Sequence, residues 1–172
     1  MHYDFSAHTD VFKHLPDGAI AQAAAYINAH ARIFVYGAGR SGLMMKAFAM
    51  RLAQAGRTVF VVGETVTPAI TRADLLILAS ASGTTASVCR YAKLASELGA
   101  PIFSIVASEN SPLATLSDHV LCLPAPSKDD APAANSIMGT LFEQSLLLCC
   151  DLIVQKLGTD AAEMRARHAN LE

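Results

Sequence analysis

The sequence predicts a doubly wound α/β fold, one five-stranded parallel sheet flanked by helices. Three observations predict it. Short runs rich in Val, Ile, Leu and Phe recur five times, each bounded by Gly, Pro, Asp or Ser. Longer stretches of helical period alternate with them, as crossover helices joining parallel strands must. The chain has 172 residues, 52% of them apolar, enough for one domain with a substantial core. Taken in order, a helix is expected near 6–15, then an Ala-rich helix over 16–30 with Ile20, Ala23, Ala24 and Ile27 on one face. The strands fall at 33–36, 58–62, 75–79, 102–106 and 120–123. The crossover helices 41–55 and 85–98 stop at Gly56 and Gly99, each Gly standing where a left-handed cap is wanted. The stretch 124–135, with three prolines, charges and small residues, reads as an exposed loop. A long apolar helix follows over 137–157, its Gln144, Asp151 and Gln155 on one stripe, so it is expected to be buried on most sides. A polar tail, 158–172, ends the chain. The expectation is a single domain over 1–172, with N-terminal helices in 1–31 and the C-terminal helix plus tail in 137–172.

Composition narrows the function classes. Lys and Arg number 13 and Asp and Glu 15, a net charge of −2 with no long run of either sign, which disfavours a nucleic-acid partner. No stretch reaches the roughly 20 apolar residues of a membrane span. The opening MHYDFSAHTD lacks the marks of a secretory signal, so a cytoplasmic location is expected. Cys89, Cys122, Cys149 and Cys150 show no C-x-x-C spacing and read as reduced core residues. The six histidines form no ligand spacing, and no metal is expected. Only 16% of residues are charged, few for the surface of a globule this size, which predicts burial against other subunits.

Ligands of open parallel sheets bind beyond the carboxyl ends of the strands, so the loops there carry the functional signal. After the first strand stands Gly37-Ala38-Gly39-Arg40-Ser41-Gly42, a Gly-rich turn into a helix start that favours an anion. It matches G-x-G-x-x-G, and Glu64 after the second strand is placed to meet a ribose, so a dinucleotide reading stays open at this point. After the third strand comes Ser80-Ala81-Ser82-Gly83-Thr84-Thr85, with hydroxyls at Ser80, Ser82 and Thr85 spaced to wrap one anion and Gly83 permitting the tight turn. No P-loop Lys follows, which disfavours nucleoside triphosphate hydrolysis. With Glu64, Thr65 and Thr67 after the second strand, the set suits a small phosphorylated polyol better than a long dinucleotide.

These motifs, with VGETVTP at 62–68, GTLFEQSLLL at 139–148 and the terminal RHANLE, resemble the 6-phospho-3-hexuloisomerases of the sugar isomerase (SIS) domain family from Arg32 to the last residue. The resemblance implies a flavodoxin-like sheet, a homotetramer with sites at subunit interfaces, no cofactor, and a phosphorylated ketohexose as substrate. The implied reaction interconverts 3-hexulose 6-phosphate and fructose 6-phosphate through an enediol, the step after formaldehyde fixation in the ribulose monophosphate pathway. It implies substrate and phosphate contacts from Gly39, Arg40, Ser41, Glu64, Thr65, Ser80, Ser82, Gly83, Thr84 and Thr85, a base in Glu143, and a second catalytic group in His168 of the tail, reaching a neighbouring subunit. Thr84 stands where many loops of that family carry Glu. A base between Leu141, Phe142 and Leu146 would be desolvated, which suits proton abstraction near neutral pH. The competing readings are an isomerase of arabinose 5-phosphate or sedoheptulose 7-phosphate, and a sugar-phosphate sensor without turnover.

Overall fold

The computed structural model describes residues 5–126 and 138–171. All five strands form, each end within one residue of the sequence reading: β1 Arg32–Gly37, β2 Thr58–Val61, β3 Leu75–Ser80, β4 Ile102–Val106 and β5 His119–Cys122. They are parallel throughout and lie in the order β2-β1-β3-β4-β5. The register carries a row of side chains across the sheet, from Val61 through Val35, Ile77 and Phe103 to His119.

Side chains alternate between the two faces of each strand, and both faces are covered. Ile33, Val35, Leu75, Ile77, Phe103 and Ile105 pack with α1 (Ser6–Lys13), α2 (Ala19–Asn28), α3 (Gly39–Gln54) and α6 (Thr140–Lys156). Phe34, Leu76, Leu78, Ile102 and Val106 pack against α4 (Ala86–Glu97) and α5 (Pro112–Thr115). Gly56 and Gly99 end α3 and α4 as expected. Each has φ near +75 to +80°, and bonds from Arg57 N to Leu52 O and from Ala100 N to Ala95 O, both 2.9 Å, close a Schellman turn.

Two boundaries differ for a physical reason. The Ala-rich helix starts at Ala19 because Gly18 stands at φ +78°. The long helix starts at Thr140, because Met138 and Gly139 have φ +56° and +78°, which cannot propagate a right-handed helix. Ile137 lies outside the described residues, as does 127–135 of the expected loop, while Pro124, Ala125 and Pro126 are irregular. Two short helices were not expected. These are α5, capped by the Ser111 hydroxyl, and α7 (Ala161–Ala166), where the Asp160 carboxylate accepts from Ala162 N at 2.9 Å. Cys149 and Cys150 are buried in the core, and burial pushes the Cys149 thiol up to about 12. Cys89 and Cys122 are only half-buried, a correction to the expectation of four core cysteines.

Candidate active site

Strand order reverses between β1 and β3, whose crossovers depart into opposite layers, α3 on one face and α4 on the other. The loops after these strands therefore part, as doubly wound sheets require at a switch point. Between them opens a cleft of about 360 Å³. Its polar wall is made by Arg40, Ser41, Ser80, Ser82, Thr85 and Glu143. The starts of α3, α4 and α6 all border it, so three helix N-termini whose N-cap side chains make no capping bond converge there.

The turn after β1 is shaped by packing. A Cβ on Gly42 would lie 2.4 Å from Gly37 O, so α3 can sit this close to β1 only with glycine there. Gly39, at φ +57° with open space around it, lines the cleft. The turn after β3 is a network. Ser80 is buried, shares a 2.9 Å hydrogen bond with the Thr85 hydroxyl and accepts from Gly83 N at 3.2 Å. Thr85 occupies the N-cap position of α4 yet spends its hydroxyl on Ser80, so its side chain does not cap the first-turn amides. Those amides and the hydroxyls of Ser80, Ser82 and Thr85 form an anion cradle. Gly83 is buried beneath the loop at φ +61° and does not line the cleft; it lets the loop lie against Ser111. Thr84 also lies off the cleft, exposed, with its hydroxyl and amide donating to Ser82 Oγ at 3.0 and 3.3 Å.

Glu143 sits in the first turn of α6 and lines the same cleft as the cradle, with its side chain 13% exposed. Leu141, Phe142 and Leu146 turn into the core instead of flanking it. The expected apolar surround is replaced by Arg40, whose Nε donates to Glu143 Oε2. For Leu141 and Phe142 the reason is helical geometry, since residues one and two positions apart point in different directions.

Besides Gly83 and Thr84, three candidates are not brought to the cleft. Glu64 is exposed and accepts from Lys46 Nζ at 2.6 Å in a smaller recess beside β2, and Thr65 next to it is exposed. A ribose-binding acid would need Glu64 unengaged, so this pairing counts against the dinucleotide reading. His168 is exposed and follows α7, which docks at the far end of α3, where Arg167 Nη1 donates to Gln54 O at 3.3 Å. Sixteen helical residues, roughly 24 Å, separate that end from the cleft of the same chain. Conversely, Met138 lines the cleft and Ser111 braces its loop, and neither was singled out from sequence. Met-Gly before a helix was the only available signal for the first. Among the described residues, no three His, Cys, Asp or Glu side chains cluster as metal ligands would.

A family model described as SIS domain matches residues 25–148. The 3-hexulose-6-phosphate isomerase of Mycobacterium gastri is 43% identical over 159 residues, covering 89% of this chain and 80% of the relative. That of Bacillus subtilis (strain 168) is 39% identical over 158 residues, covering 88% and 85%. Among solved structures, a hypothetical protein from Methanococcus jannaschii, whose structure is described as inferring a function of 3-hexulose-6-phosphate isomerase, superposes with a TM-score of 0.81. It shares 32% identity, with 98% of this chain and 94% of that chain covered.

Proposed function

Because the chain belongs to the SIS domain family, we propose that it is an isomerase interconverting 3-hexulose 6-phosphate and fructose 6-phosphate through an enediol. The observation that carries this reading is one carboxylate, Glu143, lining with an anion cradle a single cleft of sugar-phosphate size. The cradle of Ser80, Ser82, Thr85 and the α4 amides grips the phosphate, with Ser41 and Gly39 along the sugar chain. Glu143 takes the proton from carbon 2 of the 3-ketose and returns one to carbon 3, and the enediolate oxygen needs a donor while its charge develops. The backbone amides at the start of α3, which line the cleft, supply it. The 3-ketose cannot close a five-membered ring because oxygen 6 is esterified, so it arrives open. Fructose 6-phosphate must be opened first, which asks for a second acid/base.

His168 takes that role from a neighbouring subunit. Its position, far from the cleft of its own chain, supports a site shared between subunits. Exposed Leu43 and Met50 on α3 and Leu148 and Leu152 on α6 support assembly as a homotetramer. The enzyme works in the cytoplasm, a setting that suits four unpaired cysteines. Deuterium uptake from D₂O at the carbon beside the carbonyl of fructose 6-phosphate, with formation of the 3-hexulose, tests the reading. Glu143→Gln is expected to lower both by about 10² to 10⁴-fold while leaving phosphosugar affinity within about threefold. Saturable binding with no uptake by the wild type would make the protein a sensor.

A further inference from the structure

Two of the residues around the cleft carry charge, Arg40 and Glu143, and they are paired with each other. The pair uses Arg40 Nε and Glu143 Oε2. No other partner of Arg40 is found among the described residues, so the two terminal guanidinium nitrogens are unengaged. Arg40 is the more exposed half, with its side chain 59% exposed against 13% for Glu143. It lines the same cleft as the phosphate cradle of Ser80, Ser82 and Thr85.

This arrangement sets up a competition. A sugar phosphate brings a dianion into a cleft whose own charges cancel. At equal distance a dianion attracts a guanidinium twice as strongly as a carboxylate does, and it offers more acceptor oxygens to the guanidinium fork. While Arg40 stays on Glu143, its N–H occupies a lone pair of Oε2, and the guanidinium stands beside the carboxylate that would accept a carbon-bound proton. We propose that the phosphate of the substrate draws Arg40 off Glu143, so that the base is released only when a phosphorylated sugar is in the cleft. Arg40 is thus a positioning residue that couples phosphate binding to proton abstraction. Remote binding energy is thereby spent on the chemical step, and neutral sugars, which lack the dianion, meet a masked base.

The inference rests on the isomerase reading above, and its test separates the two. D-Xylulose has carbons 1 to 5 of fructose 6-phosphate without the phosphate-bearing carbon, and phosphite dianion can occupy the cradle separately. Deuterium uptake into D-xylulose from D₂O is measured with and without phosphite, beside uptake into fructose 6-phosphate. In the wild type, phosphite is expected to raise uptake into D-xylulose by about tenfold or more. In Arg40→Gln, uptake without phosphite is expected to rise above the wild-type value by about threefold or more, with phosphite adding less than about twofold. A mere phosphate contact would lose the stimulation without that rise. Unchanged or lower unstimulated uptake in Arg40→Gln, at a thermal midpoint equal to wild type, overturns the proposal. So does an absence of phosphite stimulation in a wild type that labels fructose 6-phosphate. Failure of the wild type to label fructose 6-phosphate overturns the isomerase reading itself.

Discussion

Asp74, in the turn before β3, shows how differently two ion pairs are used in this fold. It is 3% exposed and takes two hydrogen bonds of 2.7 Å from Arg32 Nε and Nη2, with Thr71 N and its hydroxyl adding bonds of 2.6 and 2.8 Å. The Arg32 fork, with Thr71, holds the carboxyl well below its usual 3.8, at about 2, against the opposing effect of burial. A depressed folded-state value means that the ionised form is the stabilised one. Its contribution is complete above about pH 4, and is lost as the pH falls from there through 2. That contribution is about 2 kcal/mol. Denaturant midpoints should therefore drop across pH 4 to 2, and Asp74→Asn should flatten that part of the profile while lowering stability at pH 7. An unchanged acid slope in Asp74→Asn would assign the acid sensitivity to other carboxylates. Neither Arg32 nor Asp74 stood out in the sequence, because a pair 42 residues apart has no local signature. The Arg40–Glu143 pair is the opposite kind, half open to the cleft and built to exchange partners.

At the scale of elements, the crossover helices were legible where a local signal closes them. Gly56 and Gly99 ended helices in the expected places because a left-handed residue there completes a turn that the last carbonyls need. The two unexpected helices carried signals as well, Ser111 before Pro112 and Asp160 three residues before Glu163, which are helix-start patterns on very short segments. Loop bracing was not legible. Gly83 and Gly39 both have positive φ, near +60°, but a Cβ on Gly83 would lie 2.3 Å from Ser111 Oγ and one on Gly39 meets nothing within 4 Å. Gly39→Ala should thus cost about 1 kcal/mol of backbone strain, and Gly83→Ala about 3 kcal/mol, since it must also displace Ser111 and the start of α5. Thermal or denaturant unfolding of the two variants decides it, and equal losses would mean that Ser111 yields freely.

At the scale of the molecule, one chain leaves both its surface and its proposed chemistry incomplete. Leu43 and Met50 on α3 and Leu148 and Leu152 on α6 remain exposed on helices that pack side by side, bridged by Arg51 and Asp151 at 3.6 Å. Among the described residues, no helix is long and apolar enough to cross a membrane. Subunit exchange tests the shared site. Glu143→Gln and His168→Ala should each be impaired alone. Co-refolded, they should regain roughly a quarter of wild-type turnover, because about that share of random subunit contacts joins an intact Glu143 to an intact His168. No recovery, with mixed oligomers demonstrated by mass, would exclude a contribution of His168 across the boundary.

The sequence by itself determined the strands, their parallel pairing and the two loops that bear the cleft, because these depend on local periodicity and on turn residues adjacent in the chain. Ser80, Ser82 and Thr85 line the cleft from one turn and could be read from one turn. Tertiary structure alone decided which distant residues meet: Arg40 on Glu143, 103 positions away, Glu64 turned to Lys46, and the tail docked at the end of α3 remote from the cleft. The physical reason is that pairing across the fold follows from how layers and helix axes pack. A linear pattern encodes which face of an element is apolar, but not which charged side chain of a neighbouring element that packing brings alongside.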